Sequence, residues 1–415
     1  MEIEELSRTA VSRDTGRSSV SGPLLLVLAL LSAVAPFATD MYLPAFPQMT
    51  EELSASATAV QLTLTAFLIG VTIGQLVFGP ISDRLGRFRP LVFGAALCVV
   101  ASAVAVFAPS IAVLVIARFL QGLGGAAGMV IGRAIISDLA KGKAAARAFS
   151  LMMIVGGVAP VIAPLFGGFL VGPIGWRGIL GVVLALAVLM LVSILAVVRE
   201  TLPVERRAEL AHRHADDESP LAALRSRPFV GYSLTFAFAF AVMMAYISAS
   251  PFLYQDMIGL GTVGYGLAFG ANALALTAVS GLAARLTVTY SVRGVVAVGI
   301  GFVAASTVVF GLLVIADVPA GWLAVPIFVA VGSLGLVFGN ATALALQSVP
   351  KAAGSASAVL GALQFGLAAA VSPLVSIRGE DTAGPLAVVM LAAAAIAVVA
   401  FVLAGRGSRS GVPTA

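Results

Sequence analysis

Asp40 is the residue best placed to do chemistry. The chain has nineteen Asp and Glu residues, and the other eighteen fall in loops, at termini or at the ends of apolar runs. Asp40 lies inside ATDMYLPAFP, in the outer part of the first long apolar run. A carboxylate there costs about 2.5–3.5 kcal/mol on insertion scales and is expected to face a cavity or a partner. Its counterpart is Arg118, the deep base of the fourth run, about eight residues in from the outer end, or roughly 12 Å. A lone acid and a lone base at compatible depth make a minimal proton-coupling unit. Protonation neutralises Asp40 and loosens its hold on Arg118, and release of the proton restores it. Burial and the neighbouring cation act on the acid in opposite senses. The competing reading is that Asp40, with Pro44 and Pro47 just beyond it, only ends the first span. Arg118 would then snorkel to the outer surface.

The elements that must position these residues are read from composition. The 415 residues are 60% hydrophobic and 10% charged, with a mean hydropathy of +1.08. Soluble chains carry about 25% charged residues, so most of this one must face lipid or other membrane helices. Apolar runs fall at 22–42, 58–80, 89–108, 110–136, 148–172, 176–198, 228–250, 262–286, 292–316, 322–345, 354–377 and 384–404. Each approaches the roughly 20 residues a spanning helix needs. The net charge of +5 could suggest nucleic acid, but the bases lie in loops between apolar spans. Alternate loops, beginning with the N-terminus, collect twenty Lys and Arg; the other side has Arg177 and Arg378 only. Such a bias predicts cytoplasmic termini and an even number of spans.

The expected fold is therefore an all-α membrane protein, with no cleavable leader. It would have a tail (1–21), a six-helix bundle (22–198), a cytoplasmic linker (199–227), a second bundle (228–404) and a tail (405–415). The linker holds both histidines, His212 and His214, in a solvated setting without nearby cysteine, so no metal site is expected. The one cysteine, Cys98, excludes an intramolecular disulfide and reads as a small core residue. No phosphate-binding G-x-x-x-x-G-K-[ST] motif is present. No Ser–His–acid set can be assembled, which excludes that hydrolytic chemistry, and no cofactor is expected.

Between the second and third runs lies GPISDRLGRFRP, where Gly79, Asp83, Arg84, Gly86, Arg87 and Arg89 form a G-x-x-x-D-R-x-G-R-x-R frame. Topology explains the arginines but not Asp83, which is placed to accept from backbone N–H groups at another helix's N-terminus. The frame resembles the signature loop between helices 2 and 3 of major facilitator superfamily transporters. That resemblance implies a mechanical gate: Asp83 against the start of span eleven near Gly354 and Ser355, and Arg87 against Asp138 on span four. Arg133, one to two turns above Asp138, is assigned to the same inner gate.

Further segments resemble the bicyclomycin/chloramphenicol branch of drug:proton antiporters. They are ATDMYLPAFPQM, RFLQG, GRAIISD, GWR, ETLPVERR, AYISASPFLYQ and the Gly354–Leu374 run. The resemblance implies proton and substrate coupling at Asp40, with Arg118 as its conformational partner. Some relatives carry a second acid in span one where this chain has Ser32. Span five, VGGVAPVIAPLFGGFL, holds Gly156, Gly157, Pro160, Pro164, Gly167 and Gly168 and resembles the antiporter motif of exporters. Glycine pairs permit close helix approach and prolines bend the helix, so ordinary packing remains the alternative.

A binding cavity is expected where the two bundles face each other. Its candidates are Tyr42, Gln61, Tyr246, Asn272, Asn340, Gln364 and Phe365, with Met152, Met153, Met243 and Met244 as adaptable lining. Gln75 and Gln121 are read as bonds between helices. Few polar groups and one acid suit small lipophilic drug-like compounds better than sugars or phosphates. The expected protein is a monomer of the cell (cytoplasmic) membrane, with protons, drug and the lipid bilayer as partners and no nucleic acid. The rival readings are export of a native amino acid or dipeptide, and a transport-dead sensor on the same fold.

Overall fold

The structure, a computed structural model, describes residues 21–140, 142–203, 207, 224–349, 353–379, 381 and 383–406. Among them are helices and turns and no strand. The helices are α1 (Gly22–Asp40), α2 (Phe46–Glu52), α3 (Ala57–Leu85), α4 (Phe88–Val106), α5 (Ile111–Leu139) and α6 (Gly142–Val197) in a first group. The second group is α7 (Arg227–Phe252), α8 (Thr262–Thr289), α9 (Val292–Ile315), α10 (Ala324–Gln347), α11 (Ala353–Val371) and α12 (Ala383–Arg406). Eleven stretches among the described residues are long and apolar enough to cross a membrane. His212, His214 and the side chains of Met153 and Ser355 lie outside the described residues.

Helix ends follow from local chemistry. Ser56, Ser110 and Ser291 precede α3, α5 and α9, and each side chain accepts from the backbone N–H three residues on, satisfying a donor that the first turn leaves open. α1 stops at Asp40, and Pro44 leads a short 3₁₀ turn (Leu43–Ala45) into α2. The 56-residue α6 is broken at Gly175, whose φ of +65° suits glycine. The break reverses the chain: Gly167 in the first arm lies against Met41, whereas Glu200, just past the second arm, bonds to Arg87.

These contacts define two ends. Ser82, Arg87, Asp138 and Glu200 gather at one. Gln48, Glu52, Ala108, Trp176 and Arg177 gather at the other. There Glu52 accepts from Trp176 Nε1 at 2.7 Å and from Arg177 at 3.1 Å. The Arg177 guanidinium lies 4.1 Å from the Trp176 ring centroid. The reversal at Gly175 is thereby fastened to α2.

Within the first group, α3 and α4 pack on α5, and α1 packs on α6. In lipid there is little hydrophobic drive between helices, so close packing of small residues must hold them. Gly70 and Gly74 face the backbone of Phe119 and Leu123, and Gly94 faces Ala127 and Gly124. The second group is centred on α7, which packs on α10, α11 and α12. The groups meet where α6 packs on α8 and α3 packs on α11. Large apolar side chains such as Phe93, Ile116, Val288 and Ile315 remain exposed, as a lipid-facing exterior requires.

Candidate functional site

The end of α1 and the third turn of α5 meet in a sealed charged site. Asp40 is 6% exposed and Arg118 is 0% exposed. The expected direct pairing is absent: among the described residues no ion pair joins them. Arg118 instead donates from Nη2 to the Ala38 carbonyl at 2.7 Å and from Nη1 to Gln121 Oε1 at 2.5 Å. Its guanidinium also lies 4.3 Å from the Tyr42 ring centroid and 4.5 Å from that of Phe67. The reason is geometric. α1 ends at Asp40, so its final turn offers open carbonyls and the negative end of its dipole. A buried guanidinium finds acceptors there without a carboxylate. Gln121 completes the chain by donating to Ser102 of α4 at 2.7 Å. Arg118 therefore clamps the terminal turn that carries Asp40.

A second charged cluster sits at the Arg87 end. Arg87 donates to Asp138 Oδ2 at 2.9 Å, to Asp83 Oδ1 at 2.5 Å and to the Ser82 hydroxyl at 2.8 Å. It is buried, and its burial works against the charge, but the bonds and charges of Asp138 and Asp83 outweigh that and raise its pKa. Glu200 accepts from the backbone N–H groups of Arg87 at 2.8 Å and Phe88 at 3.3 Å. It thus occupies the start of α4, where an anion is favoured. Gly86 ends α3 beneath it, and Gly79 packs near Val130 of α5. Arg84 is exposed. Arg133 does not join this cluster, contrary to expectation. Its Nε donates to Met129 O of its own helix at 2.9 Å, and the residue is exposed. One and a half turns separate it from Asp138, which puts it on a different face of α5.

At the Glu52 end, four side-chain hydrogen bonds join the groups. Thr58 donates to Ser376 O at 2.7 Å, and Ser376 Oγ bonds to Thr58 Oγ1 at 3.2 Å. Gln61 donates to Ser248 O at 2.8 Å, and Gln255 donates to Pro44 O at 3.1 Å. Tyr42, Gln61 and Tyr246 are sealed at this seam or beneath it, with 1%, 0% and 1% exposure, so here they do not line an open cavity. Tyr42 bonds to Thr63, and Tyr246 accepts from Asn272 at 2.8 Å. Asn340 is half-buried and donates to Leu336 O of its own helix; Gln364 is also half-buried. Phe365 is half-buried in an aromatic wall, 6.2 Å from Phe240, which is itself 5.9 Å from Phe338. Met129 and Phe365 both pack on the cluster of Ala38 and Phe67, so this wall adjoins the end of α1. Gln121 bonds between helices, whereas Gln75 Nε2 has no partner among the described residues.

In the first arm of α6, Gly167 and Gly168 form a double contact. A Cβ on Gly167 would collide with the Met41 carbonyl, and one on Gly168 would meet Thr262 O of α8 at 2.5 Å. Pro164 is buried, and its carbonyl lies beside Gly266 of α8; Pro160 is half-buried and Gly156 lies two turns or more toward Gly142. This arm thus touches the end of α1 on one side and the second group on the other.

The profile of the Major Facilitator Superfamily matches residues 28–373. The chain belongs to the major facilitator superfamily. It is 36% identical over 389 residues to an uncharacterized MFS-type transporter, YdgK, of Bacillus subtilis, covering 93% of this chain and 96% of that one. It is 31% identical over 375 residues to multidrug resistance protein D of Escherichia coli, covering 88% and 92%. It is 28% identical over 377 residues to a bicyclomycin resistance protein homolog of Haemophilus influenzae, covering 91% and 94%. Among solved structures, a peptide transporter in complex with sulfate superposes with a TM-score of 0.75 at 15% identity, covering 93% and 95%. At that identity the likeness shows the fold alone. The protein is a multi-pass membrane protein of a transporter superfamily.

Within this major facilitator fold, sequence reasoning missed the seam residues Thr58, Ser248, Gln255 and Ser376, the Glu200 contact and the Ala38 carbonyl. Small hydroxyl residues in apolar helices bond equally well to their own backbone, so no spacing marks those that cross. Backbone acceptors leave no trace in residue type. Glu200 had a signal, an acid directly after an apolar run that returns to the Arg87 end.

Proposed function

We propose that this chain is a secondary active exporter that exchanges external protons for cytoplasmic lipophilic drug-like compounds. Counting the two arms of α6 separately gives twelve spans. The bias of Lys and Arg supports placing the Arg87 end, both termini and the 199–227 linker in the cytoplasm. The bundles are then residues 22–198 and 228–404. The names of the bicyclomycin and multidrug resistance relatives support a drug-like substrate, and the chain acts as a monomer.

The observation that carries this reading is Asp40: a buried acid without an ion pair, on the terminal turn that Arg118 holds. Its protonation state alters the charge on that turn without breaking a salt bridge. Just beyond it, the Met41 carbonyl meets the antiporter arm at Gly167 and Pro44 accepts from Gln255 of the second bundle, so a change at this turn bears on both sides of the interface. With the outer seam made, substrate enters from the cytoplasm and meets the wall of Phe240, Phe338 and Phe365. Apolar rings favour a lipophilic, neutral or weakly cationic compound. Tyr42, Gln61, Tyr246, Asn340 and Gln364 contribute as the bundles part, whereas Asn272 stands on the lateral side, between α8 and α10. In the cycle, Asp40 takes a proton from outside, drug leaves, and the outer seam forms as the carrier turns inward, while the Asp83–Arg87–Asp138 cluster, flanked by Gly79, Arg84 and Gly86, braces the cytoplasmic end of the first bundle. There the proton is lost and a new drug binds. Gly156, Pro160, Pro164, Gly167 and Gly168 give the antiporter helix its close approaches and bends, and Arg133 lies in the cytoplasmic approach.

The test uses energised everted vesicles loaded with a pH-sensitive dye. Chloramphenicol, florfenicol, bicyclomycin or a lipophilic cation is added in turn. One of them is expected to trigger proton release that is absent in Asp40→Asn vesicles. Silence to all four, with a response to an amino-acid or dipeptide panel, overturns the drug assignment. An unchanged response in Asp40→Asn overturns the coupling role.

A further inference from the structure

A lateral cavity of about 430 Å³ opens between α8 and α10, in the half of the molecule nearer the Glu52 end. It is separate from the interface between the bundles. Val325 and Phe328 of α10 are 56% and 46% exposed beside it, and Ala268 and Ala271 of α8 line the facing wall. Its volume falls in the range of small-molecule sites, which is about 300–1,000 Å³. An apolar groove on a lipid-facing surface would by itself mean little. This one has a polar component: Tyr254 and Asn272 both line it, and they are 2% and 2% exposed.

Asn272 is incompletely satisfied. Its Nδ2 donates to Tyr246 Oη at 2.8 Å and to Tyr254 Oη at 3.3 Å, while its buried Oδ1 has no partner among the described residues. Turning the amide over does not remove the fault. Oδ1 would then accept from the two phenols, and Nδ2 would be left without an acceptor. In either orientation one end of the amide stays open in an apolar setting, which is costly. In the orientation observed the open end is Oδ1, and a ligand hydroxyl completes it by donating.

We infer that this cavity is a binding site for a lipophilic alcohol or phenol, which enters from the membrane with its apolar body against Val325 and Phe328 and its hydroxyl on Asn272. The site adjoins the element that forms the seam. Tyr246 lies on α7 two residues before Ser248, whose carbonyl receives Gln61, and Tyr254 immediately precedes Gln255, which bonds to Pro44. A molecule held here therefore bears on the side of α7 opposite the first bundle and adds to the closed seam.

The test uses the full chain in nanodiscs, with 4-(4-bromophenyl)phenol and its methyl ether as probes. Trp322 adjoins Gly321, a lining residue, and is 65% exposed, whereas Trp176 is 1% exposed in the other bundle. Bromine contact is expected to quench Trp322 saturably with the phenol. The ether cannot donate and is expected to bind about tenfold more weakly, as the loss of one buried hydrogen bond predicts. Asn272→Leu is expected to bring phenol and ether to the same affinity. Ala271→Phe, on the exposed face of α8, is expected to abolish saturable quenching by both, and it decides the matter if Asn272→Leu fails to fold. Equal phenol and ether affinities in the unmodified chain would mean an acyl-chain groove only and overturn the proposal. So would saturable quenching that survives Ala271→Phe, or none by either probe.

Discussion

The two groups of helices have opposite chemistry. The first buries charge: Asp40 and Arg118 near the Glu52 end, and Arg87 with Asp138 at the other. The second buries neutral groups, Tyr246, Tyr254, Tyr265 and Asn272, with neighbouring ring centroids, Phe269 included, 5.7–6.4 Å apart. Charge in a membrane interior is expensive and must be held by specific partners, whereas phenols and rings pack with little penalty. The contrast assigns work. A change of protonation falls on the first bundle, and the second must respond through the contacts between them. The largest effect therefore belongs to Asp40→Asn, for which proton-driven transport is lost while binding of drug persists. If transport survived, the first bundle would not be the driven one.

Next in size is Asp138→Asn. Arg87 and Asp138 have side-chain exposures of 6% and 10%, so removing one carboxylate leaves a largely buried cation. Breaking a buried pair costs about 3–5 kcal/mol; because Asp83 and Ser82 remain on Arg87, the lower end, about 3 kcal/mol, is expected. Thermal unfolding in detergent reads this directly, and an unchanged midpoint would remove the cluster from the stability of the first bundle. The matched change in the second bundle is Tyr246→Phe. It deletes one neutral hydrogen bond and keeps the ring stacked on Phe269 at 5.7 Å, so about 0.5–1.5 kcal/mol is expected. A loss as large as that of Asp138→Asn would collapse the distinction between the bundles.

How far the sequence discloses this contrast depends on the kind of partner. Spans are legible because apolar runs of about 20 residues match the thickness of a bilayer. The superfamily is legible because the loop around Asp83 sets acid, base and glycine at fixed spacing between two such runs. Asp40 and Arg118 stand out as charges where none is cheap. Their partners do not stand out. Arg118 binds the Ala38 carbonyl and two rings, and a carbonyl belongs to every residue. Tyr42, Gln61 and Tyr246 read as cavity residues because polarity in an apolar run suggests water. In the closed seam the same polarity is satisfied by the opposite bundle. Helices that are apolar all round also hide which face turns inward, so the lateral position of Asn272 could not be read from its spacing.

The smallest effect concerns pH at the Arg87 end. Burial alone would raise the pKa of Glu200 above the usual carboxylate range. The N–H groups of Leu202, Arg87 and Phe88 and the charge of Arg207 outweigh burial and hold its pKa below that range. A depressed folded-state pKa contributes stability that is fully present above the ordinary glutamate value, about 4.3. That stability is lost as pH falls through the lower folded value. The side chain is 34% exposed and its Arg207 partner 24%, so the ion pair itself is worth no more than about 1 kcal/mol. Unfolding midpoints of the unmodified chain and Glu200→Gln, measured from pH 6 down to about pH 3, should therefore differ most at the upper end and converge at the lower. Other carboxylates titrate in both proteins and cancel in the difference. A gap that stayed constant with pH would mean that Glu200 holds the start of α4 by packing and shape, and that the charge at this end resides in Arg87, Asp83 and Asp138 alone.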